Sequence, residues 1–190
     1  MAVTDPSRGG ARPPGVLGFP NPVNEKAARV VAGGVALVTL TTLATGWLWL
    51  GAVLALGFLA RVLAGPKLSP LGRLATGVVA PRLGPARPVP GPPKRFAQAI
   101  GLVLSTLAVA GLATGHTAVA LALLGVLALF ATLESVVGFC AGCWVFARLM
   151  GLGLIPEGAC EACNDIWGRR ATDRPVGPGP VAPGGATDAR

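Results

Sequence analysis

The chain of 190 residues is 52% hydrophobic and only 13% charged, with a mean hydropathy of +0.64 and no tyrosine. This balance excludes an ordinary water-soluble domain and predicts an all-helical protein that is embedded in lipid. The net charge of +8 does not indicate a nucleic-acid partner, because the basic residues flank apolar stretches and are not interleaved with aromatic residues. Attraction to anionic lipid accounts for them.

The amino end precedes the apolar sequence. Residues 1–24 are rich in Pro and Gly and poor in large apolar side chains, which predicts a disordered segment. No small-residue cleavage site follows the first apolar stretch, so we interpret that stretch as a retained span and not as a secretory signal peptide.

Two windows, 30–60 and 96–133, contain no Asp, Glu, Lys or Arg, and each is too long for a single crossing of about 20 residues. A polar turn interrupts each window, at Thr45-Gly46 in the first and at Thr114–Thr117 in the second. Each window therefore predicts a helical hairpin, so that the chain crosses the membrane four times. The predicted hairpins are 25–65 and 95–139, and the predicted spans lie near 27–45, 47–65, 96–114 and 117–137.

The first two spans are short. They can cross the bilayer only if Arg29 and Arg61 extend their guanidinium groups to the lipid headgroups while their stems stay in the apolar layer. The alternative is that the first hairpin only dips into the membrane.

The distribution of charge predicts the orientation. Residues 61–95 contain seven basic residues and no acidic one, whereas the two short turns are uncharged. By the positive-inside rule, the connection between the hairpins is cytoplasmic. Both termini are separated from that connection by two crossings, so they are expected to be cytoplasmic as well.

The connection itself, 66–94, is basic. Apolar residues recur at helical spacing between Lys67 and Arg82, which predicts an interfacial helix, although a loop fixed by its prolines is the alternative. Residues 84–93 are so rich in proline that an extended linker is expected there.

The two hairpins resemble each other. Leu43-Ala44-Thr45-Gly46 returns as Leu112-Ala113-Thr114-Gly115, an offset of 69 residues at which Lys26 falls on Arg95. A duplication would place two parallel repeats about an axis along the membrane normal. A chance match within sequence rich in Ala, Leu and Gly is the alternative.

All four cysteines lie in the segment 140–168, ahead of a tail, 169–190, that is predicted to be disordered. Two C-x2-C pairs are separated by sixteen residues, a spacing that fits a four-thiolate Zn²⁺ site. The pairs are Cys140 with Cys143 and Cys160 with Cys163.

Three roles for these pairs remain open on the residues alone. They can close around one Zn²⁺ ion and clamp the end of the fourth span. One or both can cycle between dithiol and disulfide, with a thiolate at Cys140 or Cys143 as the attacking group. Static disulfides are the third role, and the predicted cytoplasmic location argues against them.

Two charged residues near the first pair are further candidates. Glu134 lies near the inner end of the fourth span, where an ionisable group is a functional candidate, although an interfacial carboxylate that meets Arg or water is the simpler interpretation. Arg148 could supply a positive charge to Cys143 if the chain is helical between them.

From Glu25 to Cys143 the chain resembles the bacterial membrane-protein family DUF4395, a domain of unknown function. The resemblance depends on Pro81-Arg-Leu-Gly-Pro, on Arg95-Phe-Ala-Gln and, most specifically, on the box Gly138-Phe-Cys-Ala-Gly-Cys143. It implies a four-span protein of the bacterial cytoplasmic membrane, and it favours partners of the thioredoxin-like or sulfur-transfer kind. The second cysteine pair lies outside the box, so the resemblance implies no role for it.

Together these features predict a thiol redox or sulfur relay with a cytoplasmic thioredoxin-like partner, and not a stand-alone enzyme. The alternative is a zinc-stabilised membrane scaffold without catalytic activity. A small transporter acting as a homo-oligomer is the third hypothesis, and it is weakened by the scarcity of ionisable groups within the spans.

Overall fold

The computed structural model describes residues 19–155. The predicted disordered segments and the second cysteine pair, Cys160 and Cys163, therefore lie wholly or largely outside the described residues. The helices are α1 (Glu25–Thr45), α2 (Trp49–Ala64), α3 (Pro70–Leu74), α4 (Ala80–Arg82), α5 (Gly91–Ala113), α6 (Thr117–Val136) and α7 (Ala141–Gly151). A 3-10 turn, Gly65–Lys67, follows α2, and a π-helical turn, Ala75–Val79, joins α3 to α4.

Four helical stretches in the described part of the chain are long and apolar enough to cross a membrane. They are α1, the stretch Trp49–Arg82 that begins with α2, α5 and α6. Their large apolar side chains are extensively exposed on the outside of the bundle, as expected where lipid is the solvent. The predicted four-span helical membrane fold is confirmed.

The proline-rich linker is shorter than predicted. Helix α5 begins at Gly91 and includes Pro92 and Pro93 in its first turn. Proline is well suited to that position, because the first amide groups of a helix have no helical partner and the fixed φ of proline matches the helix. The extended part contains β2 (Pro88–Val89), which pairs antiparallel with β1 (Val23–Asn24), a two-residue contact that the sequence did not predict.

Glycines shape the turns of both hairpins. Gly46 follows α1 with φ +72° and donates its N–H to Thr42, and Gly115 follows α5 with φ +80°. This left-handed conformation is easily adopted only by glycine, which explains why both copies of the Leu-Ala-Thr-Gly repeat end a helix.

The two hairpins pack against each other more than each packs within itself. Helix α1 lies mainly against α6, and α2 lies mainly against α5, whereas α1 and α2 touch less extensively. If the two hairpins exchange places, α1 replaces α5 and α2 replaces α6, so the α1–α6 contact becomes the α5–α2 contact. A two-fold axis along the membrane normal requires this relation. The buried core where the hairpins meet combines small with large side chains, namely Val35, Leu54, Phe58, Ala108, Ala120, Leu124 and Leu127.

The segment after α2 is helical where the sequence predicts an interfacial helix. Leu71 of α3 packs so closely on Gly34 of α1 that a Cβ at position 34 would lie 2.6 Å from its Cδ1 atom. Leu68, Leu74 and Val78 are exposed. The segment therefore rests on the bundle through one face and presents apolar side chains on another.

The expectation that Arg61 extends to the headgroups is wrong. Its side chain is buried, with 4% exposure, and its guanidinium group donates from Nε to Gln98 Oε1 at 2.8 Å and from Nη1 to Ser69 Oγ at 3.2 Å. The Arg61 Cζ atom also lies 4.5 Å from the centroid of the Phe58 ring. These protein partners replace part of the water and lipid phosphate that an extended arginine would contact, and the Arg61 Nη2 atom is buried without a hydrogen-bond partner among the described residues.

Candidate functional site

The first cysteine pair lies where α6 gives way to α7. Helix α6 ends at Val136, Gly138 takes a φ of +80°, and Cys140 becomes the N-cap of α7. We call this end of the bundle, where α1 and α5 begin and α6 ends, the cysteine end. The opposite end, with the two turns around Gly46 and Gly115, is the hairpin end.

The two thiols contact each other directly. Cys140 Sγ accepts a hydrogen bond from the Cys143 N–H at 3.4 Å, and the two Sγ atoms lie 2.6 Å apart, with the Cys143 thiol donating to Cys140. Capping produces this arrangement, because the N-cap side chain folds back toward the amide three residues later. Both cysteines are partly buried and neither is in a disulfide.

Helix α7 is held against α5 by a glycine contact and an aromatic contact. A Cβ at Gly142 would lie 2.5 Å from the Ala97 Cβ, so only glycine permits this approach. One turn farther on, the Phe146 and Phe96 rings meet edge to face with centroids 5.5 Å apart. The glycine of the C-x-G-C box thus fixes the position of the thiols relative to the membrane-spanning helices.

A buried ion pair lies next to the thiols. Lys94 Nζ of α5 lies 2.6 Å from Glu134 Oε1 of α6, and the two side chains are only 10% and 16% exposed. The interfacial interpretation of Glu134 expected an arginine or water as its partner, whereas the partner is this lysine. Sequence reasoning missed Lys94. Its position in the first turn of α5, beside the end of α6 that carries the only acidic residue of that helix, was the available signal.

The surroundings push the pKa values of the two thiols apart. The hydrogen bond from Cys143 lowers the pKa of Cys140, and the positive charge of Lys94 acts in the same direction against burial and the charge of Glu134. The same hydrogen bond, together with burial, raises the pKa of Cys143, because losing its proton would leave two buried thiolates side by side. Of the two thiols, Cys140 is therefore the one that loses its proton more readily.

The redox hypothesis expected the Arg148 side chain to lie near Cys143, whereas its guanidinium group lies over the Trp144 ring. The chain is helical between Cys143 and Arg148, as that hypothesis required. The guanidinium carbon, however, lies 5.0 Å from the centroid of the Trp144 ring, a cation–π contact on an exposed face of α7. The positive charge that lowers the pKa of both cysteines is that of Lys94.

Two of the four candidate zinc ligands belong to the described part of the chain. Cys140 and Cys143 are adjacent, while Cys160 and Cys163 lie outside the described residues. Within residues 19–155, no group of three or more His, Cys, Asp or Glu side chains is placed to hold a metal ion. The four-thiolate site therefore stays a prediction.

Residues 23–150 match the family model described as domain of unknown function (DUF4395). The chain belongs to this family. The DUF4395 region runs from β1 to the end of α7, so it includes the first cysteine pair and stops short of Cys160 and Cys163. No curated protein and no solved structure matches the chain. The resemblance identified from the motifs is thus confirmed at the level of the family.

Proposed function

We propose that this DUF4395 protein is a membrane-embedded thiol redox relay in which Cys140 is the nucleophile and Cys143 the resolving thiol. The observation that carries this proposal is the position of Cys140 as the N-cap of α7, with Cys143 Sγ 2.6 Å away. A cysteine at a helix amino terminus in a C-x-x-C motif is the arrangement that favours the thiolate.

The chemistry follows from the two pKa directions. The Cys140 thiolate attacks a disulfide of a thioredoxin-like partner, forming a mixed disulfide and releasing one partner thiolate. Cys143 then gives its proton to that thiolate and attacks Cys140 Sγ, which releases the second partner thiolate. The partner disulfide becomes one thiol and one thiolate, which takes a proton from water, while Cys140 and Cys143 become a disulfide; the reverse exchange uses the same steps. In a sulfur relay, the same Cys140 thiolate would attack the outer sulfur of a partner persulfide, which forms a persulfide on Cys140 and releases the partner thiolate.

The competing zinc scaffold rests on the spacing of the four cysteines. A tetrahedral Zn²⁺ site would take four thiolates, and two of them, Cys160 and Cys163, lie outside the described residues. The relay needs only Cys140 and Cys143, which contact each other. We therefore propose the relay first and keep the scaffold as its alternative.

We further propose that the cysteine end faces the cytoplasm of a bacterial cell. The basic residues Arg29, Arg87, Lys94 and Arg95 all belong to the cysteine end, and the turns of the hairpin end contain no charged residue. A thioredoxin-like partner in the cytoplasm would then meet Cys140 directly. No described contact favours the transporter hypothesis.

The test is to trap the exchange intermediate. The full chain is purified anaerobically in detergent, zinc is measured by elemental analysis, and reduced protein is mixed with oxidised glutathione. We expect Cys143→Ser to accumulate a mixed disulfide on Cys140 and Cys140→Ser to form none at Cys143. The matched control, Cys160→Ser with Cys163→Ser, should exchange as the unmodified protein does.

One zinc per chain, with all four thiols protected until a chelator is added, would overturn the relay in favour of the scaffold. Equal reactivity of Cys140 and Cys143 toward glutathione would overturn the division of roles between the two thiols.

A further inference from the structure

Beneath the cysteine pair, the described part of the bundle contains an apolar cavity of about 320 Å³. This volume is at the lower end of the range of about 300–1,000 Å³ that is typical of small-molecule sites. Its apolar lining comes from all four spans and from α7 and includes Val35, Phe58, Leu104, Phe130 and Val145. Three further lining residues carry polar or reactive groups: Gln98, Glu134 and Cys140.

The cavity has a side that faces lipid. Val126 and Phe130 of α6 both line it, and their residue surfaces are 42% and 41% exposed. Because α6 crosses the membrane, that exposed surface meets hydrocarbon and not water. A ligand dissolved in the bilayer can therefore enter beside α6 and reach the Cys140 side chain.

From these features we propose that the cavity binds a lipid-soluble quinone, which exchanges an electron pair with Cys140 and Cys143. The proposal rests on the thiol relay proposed above and gives it a second substrate. An apolar ring and tail match the lining, and Cys140 is the redox-active group at its edge. The Gln98 Oε1 atom accepts a hydrogen bond from Arg61, which leaves the amide N–H₂ group of Gln98 to donate a hydrogen bond to a quinone carbonyl.

The reaction balances with the quinone as the sole oxidant. The two thiols lose two protons and two electrons and form one S–S bond between Cys140 and Cys143. The quinone takes up both electrons and both protons at its carbonyl oxygens and becomes the quinol. A dithiol partner would then reduce the disulfide by the exchange described above, so that electrons pass from a soluble dithiol to the quinone pool.

The probe for this proposal is decyl-ubiquinone, whose ring is fully substituted so that thiols do not add to it. Reduced full-length protein in detergent is mixed with the probe under nitrogen. Quinol is followed by absorbance and thiols are counted by alkylation and mass spectrometry. We expect one quinol for each pair of thiols lost, with Cys140 and Cys143 as the residues oxidised.

A bulkier side chain in the cavity should block the quinone and spare the thiols. Leu104→Trp should slow quinol formation by roughly tenfold or more, because the indole occupies the space for the ring. Its matched control is Leu107→Trp, on the exposed face of the same helix. A second pair of variants controls for misfolding. Val126→Trp fills the opening of the cavity, and its control, Val119→Trp, lies on the exposed surface of α6 outside the cavity lining.

The outcomes separate this proposal from the relay. Slower quinol formation in both cavity variants, with glutathione exchange at Cys140 unchanged within about twofold, supports the quinone site. Unchanged quinol formation in both cavity variants, or no quinol from a protein that still exchanges with glutathione, overturns the quinone site and leaves the relay standing. Failure of the glutathione exchange in the unmodified protein overturns the relay.

Discussion

At the hairpin end, α1 passes into α2 through Gly46, and α5 passes into α6 beside Gly115, without a charged residue in either turn. At the cysteine end, the same helices are joined by polar side chains that reach from one helix to another. Arg29 of α1 donates to the carbonyls of Ser135 and Val136 at the end of α6, at 3.2 and 2.7 Å. Arg61 of α2 bonds Gln98 of α5.

Precise placement of side chains matters at the cysteine end and not at the hairpin end. The polar contacts of the cysteine end connect the same helix pairs that pack most closely, α1 with α6 and α2 with α5, and the Lys94–Glu134 pair connects α5 with α6. These contacts fix the groups around Cys140. The hairpin end only has to reverse the chain, so glycine conformation and apolar packing suffice there.

The largest effect is expected when the buried ion pair is broken. Glu134→Gln leaves the Lys94 charge buried without its partner, which should lower the free energy of unfolding by about 3–5 kcal/mol. The matched control is Glu25→Gln, whose 3.9 Å pair with Arg87 involves a side chain that is 70% exposed and should contribute little. Unfolding in detergent with increasing denaturant measures both. Equal stability of the two variants would contradict the comparison of the two pairs.

A smaller loss is expected from adding a methyl group at the contact between α7 and α5. Gly142→Ala places a Cβ 2.5 Å from that of Ala97, which should cost about 1–3 kcal/mol of stability and slow glutathione exchange by displacing Cys140. Gly151→Ala, at the end of the same helix, meets no atom within 4 Å and serves as the control. Normal exchange in Gly142→Ala would show that α7 does not position the thiols.

The pH dependence of alkylation tests the source of charge at the cysteine end. The pKa of Cys140 is lowered, so its thiolate, and its reaction with iodoacetamide, should persist below the usual thiol midpoint of about 8.5. Reactivity should fall as the pH drops through that lowered pKa. Cys143 should react more slowly, since its pKa is raised.

Two variants identify the responsible cation. Lys94→Gln removes a positive charge that lowers the pKa of Cys140, so the alkylation midpoint should move to higher pH. Arg148→Gln should leave the midpoint in place, because the guanidinium group lies over Trp144. Size-exclusion chromatography checks that both variants are folded. A shift of the alkylation midpoint in Arg148→Gln alone would show that Arg148, and not Lys94, supplies the positive charge that acts on the thiols.

The smallest change is expected at the hairpin end. Gly46→Ala meets no neighbouring atom but forces alanine to adopt a φ of +72°, at a cost of about 1 kcal/mol. Thiol exchange and the alkylation profile should stay as in the unmodified protein, because the strain is confined to the turn. A change in thiol reactivity would mean that the two ends are coupled through the bundle.

Much of the fold could be predicted from the sequence because lipid imposes a simple rule on it. A charge-free window long enough to cross twice, with a polar break at Thr45-Gly46, specifies a hairpin by length alone. The C-x-G-C box likewise located the candidate thiols. The orientation of the bundle and the roles of Cys160 and Cys163 stay predictions.

Hydropathy and residue spacing are local properties, so the amino-acid sequence was enough to predict the four crossings of the described residues, the turns between them and the position of the Cys140–Cys143 motif. The folded arrangement of the helices was needed to find that Arg61 turns inward to Gln98 and that Lys94 places a positive charge beside the thiols. Both outcomes depend on which helices lie side by side. Apolar helices in lipid carry almost no signal for that choice, because every lipid-facing leucine and every core leucine meets the same kind of surroundings.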